Sequence, residues 1–125
     1  MQAIVVDDSR AMRMLMARLL KDIGFAVDEA GDGSEALDRL RERLSVEPVQ
    51  LALIDWNMPE MSGIELVEAV RADPAFASLR IVMVTTETEL SQVTRALEAG
   101  ADEYLMKPFT RDDVIGKLDL LGLPA

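Results

Sequence analysis

Cysteine and histidine are both missing from this chain of 125 residues. Without cysteine there are no disulfides and no thiolate metal sites, a composition compatible with the cytoplasm. Without histidine the chain cannot carry a phosphohistidine or a histidine-based triad, so any histidine chemistry must come from a partner. No run of about 18 apolar residues is present, so no membrane insertion is expected. The opening Met1–Val6 runs straight into an acidic pair with no basic and apolar leader before it, so no signal peptide is expected. Positive charge is also scarce. Thirteen Lys and Arg against 23 Asp and Glu give a net charge of −10. Such a surface repels phosphate backbones, which argues against nucleic acid as a partner.

What remains is half hydrophobic, enough for a real core in one ordinary domain spanning 1–125, with no separate output domain expected. Five short runs read as strands: Ala3–Val6, Ala26–Glu29, Leu51–Ile54, Ile81–Val84 and Glu103–Met106. Four are apolar and bounded by turn or cap residues, as buried parallel strands are; the second is more polar and reads as an edge. Helical stripes alternate with them. Met12, Leu15, Met16, Leu19, Leu20 and Ile23 repeat at helical spacing and stop at Gly24. A second helix starts near Ser34 with Leu37, Leu40 and Leu44 inward. Ser62 and Glu65 form a capping box for the third. Leu90, Val93 and Leu97 face inward on the fourth, which ends at Gly100, and Thr110 with Asp113 opens the fifth, carrying Val114, Leu118 and Leu121. Strict strand–helix alternation predicts a doubly wound α/β domain with right-handed crossovers.

In such a sheet the carboxyl ends of the strands face one crevice. The residues there are Asp7-Asp8, Asp55, Thr85 and Lys107-Pro108. Each has a plainer reading alone. The Asp pair can charge a helix N-terminus, Asp55 can end a strand before Asn57 and Pro59, Thr85 is a good strand residue, and lysine is usually a surface residue. Yet a carboxylate directly after the apolar Leu51–Ile54 lies close to the low-dielectric core, which is costly unless a cation or a function compensates. Adjacent carboxylates suit a hard cation, and a carboxylate so placed can act as a nucleophile that forms an acyl phosphate. A lysine ammonium can reach the carboxylates as a point charge, and Pro108 permits a cis bond before it. Together the set suggests a divalent metal ion and a phosphoryl group.

These segments resemble the response-regulator receiver domains, and among them the stand-alone chemotaxis-type ones. The matching runs are Ile4–Ser9, Asp55–Gly63, Val84-Thr85-Thr86 and Gly100–Phe109, and the likeness covers essentially the whole chain. It implies a flavodoxin-like (βα)5 fold with sheet order 2-1-3-4-5. It implies that Asp55 is the phosphoacceptor and that Mg²⁺ is bound by Asp8, Asp55 and the backbone carbonyl of Asn57, with Asp7 acting through water. Lys107 and Thr85 would hold the phosphoryl oxygens. Tyr104 would be the switch aromatic, turning inward when Thr85 is drawn to the phosphoryl group. The donor would be a histidine kinase or phosphotransfer protein. The output would be a protein partner bound on the face of the fourth helix, fifth strand and fifth helix.

Thr86 departs from the family, which often has a smaller Ala there, and the added bulk can narrow access to Asp55. Trp56 reads as a packing residue that supplies a fluorescence probe. Met14 and Ala11 fall off the apolar stripe of the first helix. Three other functions fit less well. An Asp-nucleophile phosphatase needs an acid two residues after the nucleophile, where Asn57 stands. A flavin carrier needs a phosphate-binding first loop, which Asp7-Asp8 would repel. A constitutive pseudo-receiver has no use for the full set of site residues.

Overall fold

Apolar β-branched and aliphatic runs form β1 (Gln2–Val6), β3 (Leu51–Asp55) and β4 (Arg80–Thr86), and the more polar β2 (Ala26–Ala30) and β5 (Glu103–Lys107) complete the five strands. Between and after them lie α1 (Arg10–Ile23), α2 (Gly33–Arg43), α3 (Gly63–Arg71), α4 (Val93–Ala99) and α5 (Arg111–Leu120), with a 3₁₀ turn at Pro74–Phe76. The computed structural model describes residues 1–56, 58, 61–86 and 92–123. All strand pairs are parallel, in the order β2-β1-β3-β4-β5. This is the expected flavodoxin-like order, with the polar β2 at an edge. The other edge, β5, buries only Leu105 fully.

Side-chain alternation along the strands splits the core in two. Ile4, Val6, Ile54, Ile81 and Met83 face α2, α3 and α4, whose Leu40, Leu66, Val67, Val70 and Ala96 cover them. Val5, Leu53, Val82, Val84 and Leu105 face the other way, under Met16 and Leu20 of α1 and Val114 and Leu118 of α5.

The helix starts follow their capping residues. Ser62 and Thr110 form capping boxes with Glu65 and Asp113, as their spacing predicts. Asp32 caps α2, which starts at Gly33, one residue ahead of the expected Ser34, and Ser9 caps α1 by accepting from the Met12 N–H. Gly24 and Gly100 end α1 and α4 at φ 124° and 122°, where a side chain would be strained.

Three inward expectations fail. Leu15 is 51% exposed, because the stripe covered by the sheet runs through Met16, Ala17 and Leu20. Leu15 lies about 100° round the helix from Met16. Leu44 is already the C-cap of α2 and lies on the surface. On α4 the inward residue is the small Ala96, while Val93 is half-buried and Leu97 exposed. Leu90 lies outside the described residues.

Candidate functional site

Register brings the separated residues together at the carboxyl end of the sheet. Val6 pairs with Ile54, so Asp7 emerges beside Asp55, the last residue of β3. Asp55 pairs with Val84, Thr85 with Met106, and Thr86 with Lys107. Each of these side chains therefore sits where its strand reaches the crevice.

The resulting contacts are short. Lys107 Nζ lies 3.2 Å from Asp55 Oδ1 and 3.4 Å from Asp7 Oδ2. Asp7 is 1% and Asp55 6% exposed, whereas Asp8 is exposed. Each of the three aspartates offers one carboxylate oxygen, and these oxygens all lie within 4.8 Å of one another. Such a set of hard oxygen donors, two buried and one open to solvent, fits a small divalent cation that keeps part of its water shell. The Asn57 carbonyl, expected among the ligands, lies outside the described residues.

Electrostatics reflect this crowding. Burial pushes the Asp55 carboxyl up to about 6, and the neighbouring charge of Asp7 pushes the same way against the opposing pull of Lys107. For Lys107, burial lowers the ammonium's affinity for its proton, but Asp55 and Asp7 together outweigh it and leave the pKa raised. The lysine stays charged at neutral pH.

Asp7 is also a structural corner. Its N–H donates to the Ala30 carbonyl at 3.2 Å, and its Oδ1 accepts from the Ser9 N–H at 2.9 Å. Its carbonyl accepts from Arg13 Nη1 at 2.7 Å. Arg13 is not among the site residues expected from the sequence. A signal was available: the first turn of α1 holds no acid, and an arginine there opposes the preference of a helix N-terminus for negative charge.

Thr85 is buried, and its Oγ1 donates to the Thr86 carbonyl at 3.3 Å. Thr85 and its register partner Met106 share a face of the sheet with Tyr104, two residues back along β5. Tyr104 is half-buried, with Lys117 Nζ 4.2 Å from its ring centroid, and Lys117 also donates to Glu103 Oε1 at 3.1 Å. A groove of about 710 Å³ lies here, lined in part by Tyr104, Met106, Lys107, Asp112, Lys117 and Leu120. The Lys107–Pro108 bond is cis. Trp56 packs against the α3 side of the core, and its backbone N–H donates to the Val84 carbonyl at 2.9 Å.

An open parallel sheet in this order defines the flavodoxin-like doubly wound class of α/β proteins. Within it, residues 3–119 match the response regulator receiver domain, and the chain belongs to that family. It is 44% identical over 124 residues to a chemotaxis protein CheY homolog of Campylobacter jejuni, covering 98% of this chain and 93% of the relative. Among solved structures, chemotaxis protein CheY4 of Vibrio cholerae superposes with a TM-score of 0.85 at 33% identity, covering 95% of this chain and 96% of that one. A CheY-like receiver domain protein of Methanospirillum hungatei gives 0.79 at 31% identity, covering 96% and 91%. CheY-like receivers are signalling modules of two-component phosphorelays, with a kinase as donor and a protein as target. Among the described residues no helix is long and apolar enough to cross a membrane.

Proposed function

We propose that the chain is a phosphorylation-dependent switch that accepts a phosphoryl group on Asp55. The observation that carries this reading is the Lys107 ammonium held 3.2 Å from Asp55 Oδ1 beside two further carboxylates. An Asp55 carboxylate oxygen attacks the phosphorus of a partner's phosphohistidine. The new O–P bond forms as the N–P bond breaks, and the histidine nitrogen leaves with the electron pair. Proteins catalyse such transfers mainly by positioning and charge stabilisation. Lys107 and the Thr85 hydroxyl take the phosphoryl oxygens. Asp8, Asp55 and the Asn57 carbonyl would hold Mg²⁺, with Asp7 acting through water, and the bound cation would neutralise charge on the transferring group.

Output follows from the shared face of Thr85 and Tyr104. Thr85 moves toward the phosphoryl group and vacates space, and Tyr104 turns inward. The surface of α4, β5 and α5 changes and binds a protein target. The donor is a histidine kinase or phosphotransfer protein, the setting is the cytoplasm, and the only chemistry the chain assists is on its own aspartate. Likeness to chemotaxis proteins supports a role in that pathway.

Trp56, next to Asp55, reports on the site. Its fluorescence is expected to change on adding Mg²⁺ and again on adding a beryllofluoride phosphoryl mimic. The second change should vanish in Asp55→Asn. A wild type silent to both additions contradicts the proposal.

A further inference from the structure

The turn that carries Asp8 is held from outside. Asp7 is fixed by its N–H on Ala30, its Oδ1 on the Ser9 N–H and its Oδ2 beside Lys107. None of these contacts fixes the plane of the peptide between Asp7 and Asp8. The carbonyl of that peptide accepts the 2.7 Å bond from Arg13 Nη1. The guanidinium is in turn steadied by Glu29, whose Oε1 lies 3.6 Å from Nε, so that Arg13 ties the end of β1 to the end of β2. Its side chain is 19% exposed, and it sits in the first helical turn where positive charge is disfavoured. A fixed contact outweighs that local preference.

We propose that Arg13 is a positioning residue for the cation site, acting through the Asp7–Asp8 peptide to aim the exposed Asp8 carboxylate at the other two. This rests on the reading of Asp8 as a direct ligand. The guanidinium has two opposite effects. As a bare positive charge near three carboxylates it repels a cation, so its removal would tighten binding. As a clamp on the ligand-bearing turn it favours binding, so its removal would weaken it. Loss of groups that orient ligands typically weakens metal affinity by about 10- to 100-fold. The clamp is expected to win because Asp8 is otherwise free to rotate in solvent.

The test is a Mg²⁺ titration followed by Trp56 fluorescence, with urea unfolding of each variant in metal-free buffer alongside. Arg13→Met is expected to raise the Mg²⁺ Kd about tenfold, and Arg13→Lys to recover only part of this, since one ammonium cannot span both the carbonyl and Glu29. Glu29→Gln should weaken binding in the wild type but not in the Arg13→Met background, because it acts through the arginine. Should Arg13→Met not fold, Arg13→Lys with and without Glu29→Gln carries the same comparison. A wild type that responds to Mg²⁺ while Arg13→Met matches it or binds more tightly overturns the inference alone. A wild type with no response overturns the metal reading, and the inference with it.

Discussion

Lys107 and Asp55 are 52 residues apart in the chain and 3.2 Å apart in the fold, at the ends of strands separated only by β4. The ammonium is the positive charge that lets Asp7 and Asp55 be buried side by side. Removing the ammonium leaves both buried carboxylates uncompensated, at about 3 kcal/mol or more. Lys107→Met should therefore lower the urea midpoint strongly at pH 8. Part of the loss should return at pH 5, where Asp55 takes up a proton.

The wild type carries its own pH signature in metal-free buffer. The Asp55 carboxyl sits at about 6 in the fold and near 3.8 when unfolded, so the folded state binds the proton more readily. Stability from this group is then gained as pH falls from above 6 toward 4, by at most about 3 kcal/mol. It is absent at pH 8. Asp55→Asn should raise stability relative to wild type at pH 8 and show little difference at pH 4. Unfolding curves at the two pH values check this, and equal effects at both would refute it.

Two glycines give opposite results on gaining a methyl group. At Gly63, the first residue of α3, a Cβ would strike the Asp55 carbonyl oxygen, and it would lie 2.8 Å from Met83 Cε and 3.0 Å from Trp56 Cα. Gly63→Ala is expected to cost about 2 kcal/mol and to slow phosphorylation by shifting the Asp55 backbone. At Gly116, inside α5, nothing lies within 4 Å of the added atom. Gly116→Ala should stabilise by about 0.5–1 kcal/mol. Paired denaturation curves separate the two.

Arg71 holds the end of the sheet opposite the crevice. It donates to the carbonyls of Gly100, Phe76 and Leu79 at 2.8, 3.0 and 2.7 Å and to Asp102 Oδ2 at 2.9 Å. Arg71→Met should cost about 3 kcal/mol by leaving these acceptors unpaired, and Arg71→Lys should recover less than half. An unchanged urea midpoint in Arg71→Met would show that water satisfies the acceptors.

The fold was legible because strand runs, capping boxes and glycine stops agree with one another, and each is a local signal. Ser62 with Glu65 and Thr110 with Asp113 mark helix starts by spacing alone. The cluster of Asp7, Asp55 and Lys107 was legible because strand ends meet in any parallel sheet. Arg13 and the Arg71–Asp102 pair were not, because their partners are mostly backbone carbonyls, which leave no mark in a sequence. Leu15 and Leu97 were misplaced because periodicity gives a stripe but not the angle at which the sheet meets it.

The most direct test is the mass of the protein after incubation with acetyl phosphate, with the modified peptide mapped. With Mg²⁺ present, the wild type should gain one phosphoryl group on the peptide containing Asp55. Asp55→Asn should gain none, and chelation of Mg²⁺ should suppress the gain in the wild type. An unmodified wild type, or equal modification of Asp55→Asn, would contradict the account.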